Sequence, residues 1–171
     1  MGYGYGILIS CLNHPLNIGV NMIRLVPLLF CIMSGFSVFA QEVKFLNTEA
    51  NKSSDLPFSK ATQVGDLLFL SGELGVDPRT GKLVNGGIIP ESKQLMENIS
   101  ETLKHFNSSL DRVAKCTVFL ADIKEWSQFN EVYRTFFTGN YPARSAVAGS
   151  GIGLGARVEV ECIAVVNEAK K

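Results

Sequence analysis

Histidine is nearly missing from this chain, with His14 and His105 its only two among 171 residues. Neither the clustered ligands of a zinc centre nor a histidine-activated serine can be built from that supply, and no Gly-x-Ser-x-Gly elbow occurs. His105 reads as a helix-surface residue, so no metal site is expected. Acidic residues are missing from the first forty positions, where Arg24 is the lone charge apart from His14. Blocks of like charge are missing throughout. With 16 Lys and Arg against 16 Asp and Glu, the chain offers no basic stripe for nucleic acid and none for an anionic membrane surface.

The acid-free front has an order of its own. Met22-Ile23-Arg24 precedes the apolar Leu25-Val26-Pro27-Leu28-Leu29-Phe30-Cys31-Ile32-Met33, and Val38-Phe39-Ala40 closes the stretch before Gln41. A charged start, an apolar centre and a small-residue exit are the parts of a secretory signal. The uncharged run from Leu25 to Ala40 falls short of the roughly 20 residues a spanning helix needs, which favours cleavage over an uncleaved anchor. Residues 1 to 40 are therefore expected to be a leader, with Met22 a candidate true start. The protein would be periplasmic or secreted, without a stable membrane span after processing, and cytoplasmic if the leader does not function.

Residues 41 to 171 make a single-domain length. Of the four cysteines only Cys116 and Cys162 lie there, each inside an apolar strand-like run, where free cysteine behaves as a small hydrophobe. Buried thiols are expected; a disulfide between them stays open, since spacing alone cannot reveal pairing.

Period gives the element order. Val43 to Leu46 reads as an entry strand, and Ser59–Val64 with Leu67–Ser71 flank the turn pair Gly65-Asp66 as a hairpin. Asp77-Pro78-Arg79-Thr80-Gly81 is a further turn. From about Glu91, Leu95, Ile99, Leu103, Phe106 and Leu110 form one stripe of a helix. Val113 to Leu120 alternates, with Ala114, Cys116, Val118 and Leu120 on one face. Asp122 then caps a second helix, with Glu125 at capping-box spacing and Trp126, Phe129, Val132, Tyr133, Phe136 and Phe137 as its apolar side. Strands at Arg144–Ala148 and Arg157–Val166 finish the chain. The glycine-rich connection between them contains Gly151, Gly153 and Ala156, yet a strand follows it, so no helix N-terminus is offered to a pyrophosphate. The order implies a two-layer α+β domain with both helices on one face of the sheet.

Tyr141-Pro142-Ala143-Arg144-Ser145 and Arg157-Val158-Glu159-Val160-Glu161 carry the chemistry. An arginine fork matches a carboxylate through two parallel bonds, and a strand glutamate can orient water. Arg144 is either such a clamp or a structural partner of Glu159 or Glu161 across the sheet. Alternation puts Glu159 and Glu161 on the face away from the valines, where an oligomer could build clefts. Asn130 interrupts the apolar stripe of the second helix, so its amide needs a partner and is expected to shape a pocket wall. Ser71-Gly72 ends a strand, where a hydroxyl and exposed backbone could meet a ligand.

Together, Gly65-Asp66-Leu67-Leu68-Phe69-Leu70-Ser71-Gly72, Asp77-Pro78-Arg79-Thr80-Gly81, Thr117 to Asp122, Asn130 with Tyr133 and Phe136-Phe137, Pro142-Ala143-Arg144-Ser145 and Val158 to Glu161 resemble the RidA-type imine deaminases of the Rid family, over nearly all of Val43 to Val166. The resemblance implies a chorismate-mutase-like fold, a homotrimer with a pocket in each interface cleft, and last strands that need not be neighbours. It implies water addition to 2-iminopropanoate or 2-iminobutanoate, derived from enamines such as 2-aminoacrylate, giving 2-oxo acids and ammonia without a cofactor. Arg144 would hold the substrate carboxylate, Glu159 would direct the water, Ser71 and Gly72 would line the pocket and Asn130 would support it. Phe58 stands where the family often has a pocket tyrosine, and Ala146 where it often has a cysteine, so substrate choice could differ. A non-catalytic role, holding small carboxylates in the same cleft, is the alternative.

Overall fold

The structure, a computed structural model, describes residues 41–53 and 55–167. The leader expected over residues 1 to 40, with its candidate start at Met22, lies outside the described residues.

Strand β1 (Val43–Leu46) enters the sheet and is followed by one helical turn, α1 (Glu49–Lys52). Next come β2 (Ala61–Val64) and β3 (Leu67–Leu70), joined through Gly65, whose φ of 56° is open to glycine at little steric cost. Short strands β4 (Glu73–Leu74), β5 (Val76–Asp77) and β6 (Lys82–Leu83) lead to helix α2 (Ile88–His105). Strand β7 (Val113–Leu120), helix α3 (Trp126–Tyr133), strand β8 (Ala143–Ala148) and strand β9 (Val158–Val165) complete the order.

The sheet runs β1-β2-β3-β9-β7-β8, with β4 also paired to β9 and β5-β6 a separate ribbon. All its pairings are antiparallel except β7 with β8, so the sheet is mixed. β8 and β9 flank β7 from opposite sides and are not neighbours. The connection from β7 through α3 to the parallel β8 makes β8 an edge strand, and this places Arg144 at the rim of the sheet.

The core lies between sheet and helices. Leu95, Met96, Ile99 and Leu103 of α2 and Phe129 of α3 are fully buried, together with Leu68, Val118, Val158, Val160 and Ala164 of the sheet. Truncating Phe129 to alanine in such packing costs about 3–5 kcal/mol.

Four local readings are corrected. Helix α2 begins at Ile88, three residues before Glu91, because Gly86 and Gly87 turn the chain at positive φ and Pro90 fits a first helical turn, where no amide donor is required. A register shift between Val113 and Lys115 turns Ala114 outward and gives the core position to Val113. Asp122 caps the short 3-10 turn Ile123–Glu125 rather than α3 itself, its carboxylate accepting from Lys124 N at 2.9 Å, and Glu125 binds Arg157, so no capping box forms. Cys116 and Cys162 are bonded as a disulfide rather than free: they stand opposite one another on β7 and β9 with Cα atoms 4.1 Å apart.

The other face of the sheet has no helix over it. Val43, Phe45, Leu67 and Val147 lie exposed there, Phe45 at 73%.

Candidate functional site

Parity in the sheet separates the two charged residues. Arg144 is in register with Cys116, a core-facing residue of β7, whereas Glu159 is in register with Phe119, which alternates to the opposite face. Arg144 therefore points to the helix side and Glu159 to the open side, two strands away. Among the described residues Arg144 has no ion-pair partner, so the cross-sheet pairing with Glu159 or Glu161 does not form.

Helix α3 supports the guanidinium of Arg144. Its Nη2 donates to Oδ1 of Asn130 at 2.6 Å, and its Cζ lies 4.7 Å from the Tyr133 ring centre and 5.6 Å from that of Phe129. A cation over aromatic faces is held in place without being neutralised. The remaining donors face a cleft of about 480 Å³ lined by Trp126, Asn130, Tyr133, Arg134, Tyr141, Pro142 and Arg144, with no carboxylate among them. Burial pushes Tyr133 up to about 12, against the opposing pull of Arg144, so its hydroxyl stays protonated. That hydroxyl is buried and, among the described residues, has no hydrogen-bond partner. Ala146, two residues beyond Arg144, shares its face of β8 and packs on the core.

A second group assembles on the other side around Glu159, which lies opposite Leu74 of β4. Burial, helped by the neighbouring charge of Glu161, holds its carboxyl above the ordinary range, which suits a group that takes up and returns a proton. Gly72 runs directly beneath it, close enough that any side chain there would overlap Oε1. Ser71 donates from Oγ to Ser59 O at 2.7 Å, which spends its proton and leaves its lone pairs as an acceptor. The same bond ties Ser71 to the loop bearing Phe58, an exposed ring. Behind them Lys60 pairs with Glu73, whose carboxyl burial raises despite the lysine.

The residues singled out in the sequence thus form two groups, Arg144 with Asn130 and Ala146, and Glu159 with Ser71, Gly72 and Phe58. Within one protomer the sheet separates them. From the sequence, Trp126 and Tyr133 fall on the apolar side of the helix, Tyr133 also beside Asn130 in the resemblance, and neither they nor Arg134 are singled out as cleft residues. The signal was present: Trp126, Asn130 and Arg134 recur every four residues and so share one helical stripe. Among the described residues no group of three or more His, Cys, Asp or Glu is placed to hold a metal ion, and no helix is long and apolar enough to cross a membrane.

Comparison with known proteins gives a consistent picture. Residues 48–166 match the family described as Endoribonuclease L-PSP. A protein of Mus musculus named 2-iminobutanoate/2-iminopropanoate deaminase is 40% identical over 122 residues, covering 71% of this chain and 90% of that protein. The protein of the same name from Capra hircus is 44% identical over 109 residues, covering 64% and 80%. The crystal structure of RidA from the Antarctic bacterium Psychrobacter sp. PAMC 21119 superposes with a TM-score of 0.64 at 33% identity, covering 67% of this chain and 92% of that one.

Proposed function

Because this chain belongs to the Endoribonuclease L-PSP family, which includes the RidA proteins, we propose that it is an imine deaminase that hydrolyses 2-iminopropanoate and 2-iminobutanoate to 2-oxo acids and ammonia. The observation that carries this reading is the Arg144 guanidinium, oriented by Asn130 and facing a cleft without a competing carboxylate. Such a fork binds the carboxylate of a small acid through charge-assisted bonds.

The reaction needs a second carboxyl group near the C=N carbon. In this reading Glu159 comes from a neighbouring copy in a homotrimer, whose assembly brings the open face of one subunit to the Arg144 rim of the next. The exposed Val43, Phe45, Leu67 and Val147 suit burial between copies. Glu159 orients a water for attack on the iminium carbon and accepts its proton. The proton passes to nitrogen in the tetrahedral adduct, the C–N bond breaks as Glu159 takes the hydroxyl proton and the C=O bond forms, and ammonia leaves and carries that proton away as ammonium. The Ser71 lone pairs accept from the iminium N–H, and Gly72 leaves room for the Glu159 carboxylate. No cofactor is called for, since the iminium carbon is already electrophilic and positioning with one proton carrier suffices. In this reading Phe58, brought by the neighbouring copy together with Glu159, and Ala146, on the same face of β8 as Arg144, tune the choice of substrate.

Export through the leader over residues 1 to 40 belongs to the same proposal. A Cys116–Cys162 disulfide suits an oxidising compartment such as the periplasm. N-terminal sequencing of the native protein tests it; a chain beginning upstream of Gln41 would count against cleavage there.

Activity is tested by generating 2-iminobutanoate with an amino-acid oxidase and following its loss with wild type, with Arg144→Ala and without protein. Faster loss with wild type alone supports the proposal. Equal decay in all three samples refutes it, and stabilisation by small carboxylates without turnover would select a binding role instead.

A further inference from the structure

We propose that the Arg144 cleft is built for 2-imino acids carrying a second carboxylate, and that Arg134 is the residue that reads it. The inference rests on the deaminase reading above and adds the substrate class. A monocarboxylic imino acid needs one cation. This cleft has two, Arg134 and Arg144, and no acidic side chain among its lining. Among the described residues neither guanidinium has an ion-pair partner.

One residue organises both arginines. The Asn130 side-chain oxygen accepts from Arg144 Nη2 at 2.6 Å, while its main-chain oxygen accepts from Arg134 Nε at 3.3 Å. Arg134 follows Asn130 by four residues, and its φ of −62° and ψ of −24° keep it on the helical stripe that faces the cleft. Two like charges on one partly apolar wall repel each other, and a dianion with carboxylates at its two ends relieves both. The cleft volume of about 480 Å³ leaves room for a longer acid than a four-carbon one, with its methylenes against Trp126, Tyr133 and Tyr141. The chemistry is unchanged: water adds to the C=N carbon, the C–N bond breaks, ammonia leaves and a 2-oxo diacid remains, with no change of oxidation state overall.

The test compares 2-iminoglutarate, made in situ by a glutamate oxidase, with 2-iminobutanoate, each measured above its spontaneous decay. The ratio of kcat/KM for diacid over monoacid is expected to fall about tenfold in Arg134→Gln and to return largely in Arg134→Lys, the size of one charge-assisted bond. An equal ratio in wild type and Arg134→Gln would overturn the proposal. Calorimetry with the unreactive 2-oxoglutarate and 2-oxobutanoate separates this idea from the deaminase reading. Binding of 2-oxoglutarate that weakens about tenfold in Arg134→Gln, without turnover of any imine, sinks the deaminase and keeps the diacid cleft. Binding of 2-oxoglutarate that is absent or indifferent to Arg134 sinks the diacid cleft, whatever the turnover.

Discussion

Gly72 and Glu159 are in such close contact that the glycine hydrogen is all that fits between the main chain and Oε1 of the carboxylate. A methyl group at Gly72 would have to displace the end of a flexible side chain, which costs the fold little but moves the group proposed to hold the water. Gly72→Ala is expected to keep its melting temperature within a few degrees and to lose most of kcat. Gly75 is the contrast: its Cβ would meet the main-chain oxygen of Glu91 at 2.6 Å, so Gly75→Ala should destabilise by about 1–3 kcal/mol. Thermal melts alongside kinetics separate the two, and a Gly72→Ala enzyme with wild-type kcat would contradict the assignment.

Asn130 holds Arg144 through a single 2.6 Å bond. Removing the amide frees the guanidinium to other rotamers and should weaken its proposed grip on a substrate carboxylate. Asn130→Ala should raise KM about tenfold, the scale of one hydrogen bond to a charged group, with a smaller change in kcat. Steady-state kinetics check this; an unchanged KM would assign Asn130 to packing alone.

The pH dependence follows from the raised carboxyl of Glu159. In the proposed role its ionised form directs the water, so activity should be lost as pH falls through its folded pKa, and that acid limb should lie above the ordinary glutamate value. The charge of Glu161 contributes to the rise, so Glu161→Gln should move the limb toward lower pH. A limb displaced upward, or not displaced, in that variant would remove Glu159 from the role. For stability the sign is the reverse: a raised folded pKa favours the folded state below the unfolded value of about 4.5, and that contribution is lost as pH rises through the folded value.

The Cys116–Cys162 bond closes a loop of 46 residues across the central pair of strands. By the chain-entropy estimate its removal costs about 2–4 kcal/mol. Cys116→Ala/Cys162→Ala should melt well below wild type in the absence of reductant and match it in reductant. Denaturation curves that coincide under both conditions would show that the thiols are free.

Much of this was legible in the chain because it is local. Leu95, Ile99 and Leu103 announce a helix by spacing alone, and Val158, Val160 and Cys162 announce which side of β9 is buried. Tyr141 to Ser145 and Val158 to Glu161 identify the charged pair, and alternation gives the face of Glu159 but not that of Arg144, because the relative parity of β8 and β9 depends on the intervening β7. The bond between Cys116 and Cys162 is of the same kind, fixed by a register that joins residues far apart in sequence. The outward turn of Ala114 depends on a register irregularity that perfect alternation conceals. Asn98, unremarked in the sequence, donates to the oxygens of both Leu74 and Val76, a partnership that requires the fold to exist first. Arg134 was overlooked because a charged residue near a helix end ordinarily faces water.

The central claim is that Arg144 of one copy works with Glu159 of another. It is tested by mixing Arg144→Ala and Glu159→Gln proteins, each expected to be inactive alone, under conditions that let subunits exchange, and assaying 2-iminobutanoate loss. In a cyclic oligomer mixed equally, about a quarter of the interfaces pair an intact Arg144 with an intact Glu159, so about a quarter of wild-type activity should return. A mixture whose subunits demonstrably exchange but which stays as inactive as its parents would contradict the account.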